Sequence, residues 1–380
     1  NGATEEGKNI QNLHFKPGLD ALLAIVKDAM NDGGDARIRA FGSKWSLNNA
    51  AYTPDYMVKT WGLNYAKIGF AKNMVTQAYK DKADKLCFVQ AGVMIHYLNQ
   101  ALFAKNLALQ TTGASDGQRL IGAISTGTHG SAMHVGAMQE YVKGIHLVIP
   151  DGDSDAKHVF LQRKSDQAVN KSFATFMDNT VLIDDDELFN AAVVGFGCFR
   201  LIHGLLIETE DLFLLNYQTV RFNPNEPWYK DRLQTVLGNP TRKNIRALAR
   251  KGSSIRLFDW LKDEEGYPYF FSVTQNPYTS ALNPRTFFIE VMEKVPYDHN
   301  KGIALAPFSR KHEKHEAIDK GLKKNRAAGL SLTKGELSVG IQLGLKVFHH
   351  DSLIPRNASL RKPTLTFPNI VFNTKSSTNP

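Results

Sequence analysis

The sequence predicts an α+β fold, and three successive textures along the chain predict it. The first third alternates helical and extended patterns, and from about Tyr141 the chain turns strand-rich. Beyond about Leu215 it gains aromatics, Lys and Arg, and loses regular glycine. The 380 residues are 42% hydrophobic, 22% charged and 10% aromatic, with 29 Gly and 15 Pro. That balance is globular and excludes collagen-like, coiled-coil and wholly disordered classes. The length allows two or three folding units, each with its own core.

Leu19, Leu22, Leu23, Val26 and Met30 recur at helical spacing after Pro17-Gly18, and Asn31-Asp32-Gly33-Gly34-Asp35 ends that helix. Arg37–Ala40 reads as a short strand leading into Phe41-Gly42-Ser43, and Leu86–Ala91 as a second. A helix follows with Ile95, Leu98, Ala101 and Leu102 on one face, then an extended piece at Leu107–Thr111. Tyr141–Ile149 is nearly continuous β-former. Pro150-Asp151-Gly152-Asp153 turns it back so that His158–Leu161 pairs as a hairpin. Asp184-Asp185-Asp186-Glu187 sets acidic residues at the start of a helix through Leu188, Phe189 and Ala192, which suits the helix dipole. Leu205–Thr209 returns as a strand. Helical stretches at Tyr229–Leu237 and Arg242–Lys251 precede a strand at Tyr269–Thr274.

The formal charge of +9 favours an anionic partner of some kind. The one dense basic stretch, Arg310, Lys311, Lys314, Lys320, Lys323, Lys324 and Arg326, is interrupted by Glu313, Glu316 and Asp319 and reads as a solvated helix, so no nucleic-acid partner is expected. The two cysteines, Cys87 and Cys198, lie in apolar stretches and read as buried thiols rather than a bridge or a nucleophile. Without a C-x-x-C pair a zinc ribbon is excluded. No apolar run approaches a membrane span, so a soluble protein is expected, cytoplasmic or exported. Asn-x-Ser sequons at Asn170 and Asn357 would matter only in a secreted eukaryotic protein.

The most informative stretch is Thr111-Thr112-Gly113-Ala114-Ser115-Asp116, followed by Gly122-Ala123-Ile124-Ser125-Thr126-Gly127-Thr128-His129-Gly130-Ser131. Glycines admit a ligand close to the backbone and expose N–H groups, and the hydroxyls add donors, a composition suited to a phosphate or pyrophosphate. Tight turns between strands would read the same way by spacing alone. Neither G-x-x-x-x-G-K-S/T nor G-x-G-x-x-G occurs, which argues against a P-loop and a dinucleotide Rossmann unit.

Taken whole, this stretch resembles the flavin-binding segment of the vanillyl-alcohol oxidase superfamily, above all its sugar, aldonolactone and alditol oxidase branch. Three further motifs agree in order. Arg39-Ala40-Phe41-Gly42-Ser43-Lys44-Trp45-Ser46 stands at the first pyrophosphate loop, and Gln90-Ala91-Gly92-Val93-Met94-Ile95 where a strand enters a helix. Gly195-Phe196-Gly197-Cys198-Phe199 with Ile202-His203-Gly204-Leu205-Leu206-Ile207 stands at the turn and strand closing over the adenine end. The likeness covers roughly residues 10 to 215.

The resemblance implies a PCMH-type FAD-binding domain over residues 1–213, with subdomains of about 1–135 and 136–213. A cap or substrate domain follows over 214–380. It implies FAD bound by Phe41, Gly42, Ser43, Lys44, Trp45, Ser46, Gly113, Ala114, Ser115, Gly122, Ala123, Ser125, Thr126, Gly127, Thr128, His129, Gly130, Gly204, Leu205 and Leu206. Ser115 is the candidate catalytic hydroxyl, near flavin or substrate, and His129 is a neighbour of the cofactor rather than a base. Many relatives carry Gly-His-Ser in the first loop, with the histidine bonded to flavin. Here Trp45 takes that histidine's place and Lys44 the preceding glycine's, so FAD is expected to be non-covalent. Arg200 also stands where relatives often keep a glycine.

The implied reaction is hydride transfer from an alcohol or hemiacetal carbon of a sugar, polyol or lactone to FAD. Molecular oxygen or another acceptor would then reoxidise the flavin. The alternatives are a flavin dehydrogenase acting on a hydroxy acid, for which the positive charge would be useful, and a non-catalytic FAD-binding protein. In the cap, Tyr269–Tyr278 resembles the aromatic strand laid over the flavin. One face carries Tyr269, Phe271, Val273 and Gln275, the other Phe270, Ser272, Thr274 and Asn276. His349, His350, Lys346 and Glu336 are available late in the chain. The closing segment by which many relatives return to the flavin domain has no counterpart, so either the sequence is incomplete or the site is rebuilt.

Overall fold

A computed structural model describes residues 15–32, 36–46, 49–113, 115–222, 228–248, 261, 266–275, 287–297 and 362–365. They carry both helices and strands in an α+β arrangement. The described residues divide into two units, one within 1–130 and 135–212 and the other within 131–134 and 213–366.

The first unit opens with α1 (Lys16–Asn31), which has proline in its first turn, where a missing N–H costs nothing. Its Leu19, Leu22, Val26 and Ala29 are buried, at the i, i+3, i+4 spacing of one helix face. The short strands β1 (Ile38–Phe41) and β2 (Tyr56–Lys59) pair in parallel, Ile38 opposite Tyr56.

The main sheet takes β3 (Ala66–Ile68), β4 (Leu86–Gln90), β6 (Val142–Asp151), β7 (Asp155–Gln162), β8 (Val181–Asp184) and β9 (Leu201–Glu208) in the order β3-β4-β9-β6-β7-β8. All its pairings are antiparallel except β7 with β8. It draws strands from both sides of residue 135. Around it lie α2 (Ile95–Phe103), β5 (Leu107–Ala108), α3 (Leu120–Ser125), α4 (Lys171–Phe176) and α5 (Asp186–Val193), and β10 (Glu210–Asp211) pairs with β5. The helix α1 packs against β6, β7 and β9 of the sheet, each buried Leu or Val contributing roughly 1.5–3 kcal/mol.

Two caps account for local starts. Asp185 accepts from Leu188 N (2.8 Å) at the head of α5, with Asp186 and Glu187 in the first turn. Asn170 caps α4 through Ser172 N, while its amide donates to Asn73 O and Val75 O, both at 2.9 Å. That sequon asparagine is part of the framework.

Inside the sheet lies a polar chain that the apolar pattern conceals. Gln90 on β4, His203 on β9, His146 on β6 and His158 on β7 are linked in turn. Gln90 Nε2 to His203 Nε2 is 2.8 Å, His203 Nδ1 to His146 Nδ1 2.8 Å, and His146 Nε2 to His158 Nδ1 3.1 Å. Tyr65 N donates to Gln90 Oε1 and so fixes the amide's orientation. The amide nitrogen only donates, so His203 Nε2 accepts and its Nδ1–H donates to His146. The Nε2–H of His146 then donates to His158. Every imidazole in this run is neutral, and Phe15 and Phe88 enclose it. Burial and the neighbouring imidazoles hold His146 well below its ordinary value. Burial pushes His203 down to about 3 and lowers His158 as well.

The second unit contains β11 (Phe213–Phe222), α6 (Trp228–Gly238), α7 (Arg242–Arg246), β12 (Phe270–Gln275), β13 (Phe287–Pro296) and β14 (Lys362–Leu365). Its sheet is antiparallel in the order β12-β13-β11-β14. Leu233, Val236, Ile245, Leu248, Leu261, Ile289 and Val291 form its core. The Arg242 guanidinium clasps the Glu293 carboxylate.

Candidate functional site

The first loop follows β1. Trp61 Nε1 donates to Gly42 O (2.9 Å) and Thr60 Oγ1 to Phe41 O (3.3 Å), so the exit from the strand is tied down from both sides of that peptide. Lys44 lies in the left-handed region at φ 60°, the conformation a glycine would adopt without strain. That agrees with the resemblance, in which Lys44 stands at a glycine position. Its Nζ lies 5.7 Å from the Phe41 ring centre. Trp45 is 53% exposed, and a methyl on Gly117 would stand only 3.1 Å from its indole. A methyl on Gly42 would meet Arg119 Cγ at 3.1 Å. The Gly42–Ser46 loop therefore lies directly against the segment that carries Ser115.

That segment is mounted on α2. Ile95 N donates to Gln118 O and His96 N to Asp116 O, both at 3.0 Å, and Leu120 N donates to Val93 O (3.1 Å). His96 Nδ1 meets Asp116 Oδ2 at 2.8 Å, with Gln100 Nε2 3.0 Å from the opposite ring nitrogen. Arg119 Nη1 donates to Gly92 O. Ser115 Oγ accepts from Gly117 N (3.3 Å), and Ala114 lies outside the described residues.

The third segment runs from α3 into the turn at 126–130. Gly127 has φ 70°. Thr128 N donates to Ala123 O, Phe196 N to Ser125 O and Met138 N to Thr128 O, each at 3.0 Å. A methyl on Gly113 would stand 2.7 Å from Thr128 Cγ2, and one on Gly130 would overlap Thr112 O and Thr111 Oγ1. His129 is exposed, and its Nδ1 lies 3.0 Å from Gly130 O, a bond in which the ring nitrogen donates.

Two polar atoms among these loops are sealed from solvent without a hydrogen-bond partner: Ser43 Oγ and Arg119 Nε. Burial also lowers the Arg119 pKa, so its charge is held at a cost. A buried donor left unpaired costs about 1–3 kcal/mol, and an anion between the loops removes that cost. The donor set fits the pyrophosphate of FAD.

The remaining expected residues are distributed unevenly. Gly122 and Thr126 are exposed, while Ala123 and Ser125 are buried. Gly204, Leu205 and Leu206 sit within β9. Gly204 makes room for the Phe88 ring, and the two leucines belong to the hydrophobic core. Cys87 is buried as expected, and burial raises its thiol pKa. Cys198 is not buried: it is exposed. Phe196 and Gly197 before it both have positive φ, and that turn lifts the thiol to the surface. On β12, Phe271 and Val273 pack against the second unit's own core, and Ser272 Oγ donates to Glu290 Oε2 (2.8 Å). Asn276, Glu336, Lys346, His349, His350 and the basic stretch 310–326 lie outside the described residues.

Arg119, Trp61 and the His96–Asp116 pair escaped sequence reasoning. Their contacts join positions tens of residues apart, and no periodicity marks them. No helix among the described residues is long and apolar enough to cross a membrane.

Residues 19–154 match the family model of the FAD binding domain, and FAD is the cofactor this supports. A D-arabinono-1,4-lactone oxidase of Yarrowia lipolytica is 31% identical over 148 residues, which are 37% of this chain and 26% of that protein. An L-gulonolactone oxidase of Scyliorhinus torazame is 28% identical over 142 residues, 37% of this chain and 30% of that protein. The matched region thus spans about a quarter to three-tenths of these curated relatives. A solved cholesterol oxidase from Brevibacterium sterolicum superposes with a TM-score of 0.48 at 13% identity, covering 86% of this chain and 54% of that one.

Proposed function

We propose that this chain, which through residues 19–154 belongs with the FAD binding domains of aldonolactone oxidases, is a flavin-dependent oxidoreductase. It oxidises an alcohol or hemiacetal carbon of a sugar, polyol or lactone, and molecular oxygen or another acceptor takes the electrons. The observation that carries this reading is the pair of adjoining loops whose Ser43 Oγ and Arg119 Nε are sealed off without partners.

When bound, FAD supplies two-electron oxidation chemistry. The chain's own groups would hold it. Backbone N–H groups of the Gly42–Ser46 loop and of the Gly113–Gly130 segment, with the Ser43 hydroxyl, would bind the pyrophosphate. The Arg119 guanidinium supplies the counter-charge. The His96–Asp116 pair keeps the Ser115 segment rigid against α2. The Ser115 hydroxyl would supply a hydrogen-bonding group to the ring or the substrate alcohol. Trp45 offers no imidazole nitrogen for a covalent link, so the flavin is held by these contacts alone.

Acid precipitation of the yellow protein should release the flavin into the supernatant, and a yellow pellet would refute non-covalent attachment. Anaerobic addition of aldonolactones, polyols and hydroxy acids in turn should bleach the flavin with a lactone or polyol. Bleaching by hydroxy acids alone would overturn the substrate class. Replacing Gly127 by leucine forces a side chain into φ 70°, a conformation that L residues rarely adopt, and so strains the turn at 126–130. Flavin content should collapse while the second unit stays folded, and full retention of FAD would overturn the placement of the cofactor.

A further inference from the structure

Trp61 stands in a single 3-10 turn, Thr60–Gly62, directly after β2. The turn is mounted tightly: Gly92 N donates to Leu63 O (2.6 Å), and a methyl on Gly92 would overlap Thr60 O and Leu63 O. The indole itself is 43% exposed and takes no part in the hydrophobic core. Packing therefore does not account for so large a side chain at this position. Its polar and π contacts do. Nε1 donates to Gly42 O (2.9 Å), the Arg119 guanidinium carbon lies 5.5 Å from the ring centre, and Lys59 Nζ lies over the ring at 3.9 Å. The same Arg119 donates to Gly92 O, and its methylenes pack where Gly42 has no side chain. One side chain thus joins the first loop to the segment that carries Ser115.

Those two parts bring together the sealed, unpartnered Ser43 Oγ and Arg119 Nε. A guanidinium fork binds an anion more tightly when its plane is held before the anion arrives. An indole face attracts the cation without supplying a competing carboxylate. Among the described residues Arg119 forms no ion pair, so its charge is held in place and stays unneutralised. The indole N–H meanwhile fixes the peptide that leads into Ser43. We propose that Trp61 is a positioning residue for the cofactor: it presets the Arg119 guanidinium and the Ser43 loop ahead of pyrophosphate binding. The inference rests on the reading of these loops as the FAD pyrophosphate site, and it assigns part of that site's tightness to a side chain outside both loops.

The experiment measures FAD dissociation from the loaded protein by ultrafiltration, free flavin being read in the filtrate at low and at high salt. Wild-type affinity should fall as salt rises, because the attraction between guanidinium and pyrophosphate is screened. Trp61→Leu removes both the donor and the ring face. It should weaken FAD binding about tenfold and flatten the salt dependence. Trp61→Phe keeps a ring face without the N–H, so it should lose roughly threefold and recover the wild-type salt dependence. A general loosening of the fold would weaken binding with the salt dependence unchanged in both variants, and that result would overturn the proposal. So would wild-type affinity in Trp61→Leu. If the leucine variant does not fold, Trp61→Phe carries the test, and wild-type affinity there overturns the proposal equally. A wild-type protein that takes up no FAD fails differently: it refutes the cofactor reading itself, and the inference falls with it.

Discussion

Lowering the pH from 7.5 to 5 should remove about 4 kcal/mol of folding stability through His146 and His203 alone. Both imidazoles are fully buried and neutral, in a run of hydrogen bonds whose direction is set from Gln90. An added proton would make two donors face each other between His203 and His146. Their folded-state pKa values are depressed, His203 to about 3, against about 6.5 in the unfolded chain. The unfolded state therefore binds the extra protons. Stability is fully present above about pH 6.5 and falls as the pH drops below it, by about 2 kcal/mol per histidine at pH 5. The sum is comparable to the total stability of many domains. Carboxylates with lowered pKa values, such as Asp155, Asp166 and Asp186, lose their contribution only as the pH falls below their unfolded value near 4. They leave this window clear. Urea denaturation at fixed excess FAD, repeated at pH 7.5, 6 and 5, measures the slope. His203→Gln keeps an amide able to accept and donate but does not titrate, so its pH-dependent loss should be about 2 kcal/mol smaller. The variant's absolute stability does not enter that difference. Parallel pH profiles for the two proteins would refute the neutral-run account.

Gly130→Ala should destabilise by about 1–3 kcal/mol, because the new methyl overlaps Thr112 O and Thr111 Oγ1; chemical denaturation reads this directly. Lys44→Gly should raise stability slightly, by at most about 1 kcal/mol, by relieving φ 60° at some entropic cost in the unfolded chain. A thermal melt with and without FAD checks the sign.

Much of the first unit was legible because its signals are local. The 3- and 4-residue spacing of Leu19, Leu22 and Val26 survives in α1, and Asp185 caps α5 as its acidic cluster suggests. β9 begins four residues earlier than the run of leucines indicated, since a buried histidine reads as polar until its partners on β6 and β4 are known. The helix expected to reach Lys251 closes at Arg246, the last position with helical bonding before the Ala247 cap. In the site, glycines announced where backbones come close. The Arg119 and Trp61 contacts that fix the first loop depend on tertiary placement, which no window along the chain contains. Cys198 shows the opposite failure: apolar neighbours suggested burial, and a left-handed turn decided otherwise.

The order of strands in the main sheet sets a timetable for synthesis. β4, complete by Gln90, has β9 as its inner neighbour, and β9 ends only at Glu208. A nascent chain must therefore extend by more than a hundred residues with one edge of β4 open, exposed to pairing with other chains. Contacts of this sequence separation also slow folding once the chain is released. Fragments ending before Glu208 should be aggregation-prone even when they include both flavin loops, and a minimal soluble flavin-binding piece has to reach at least that residue.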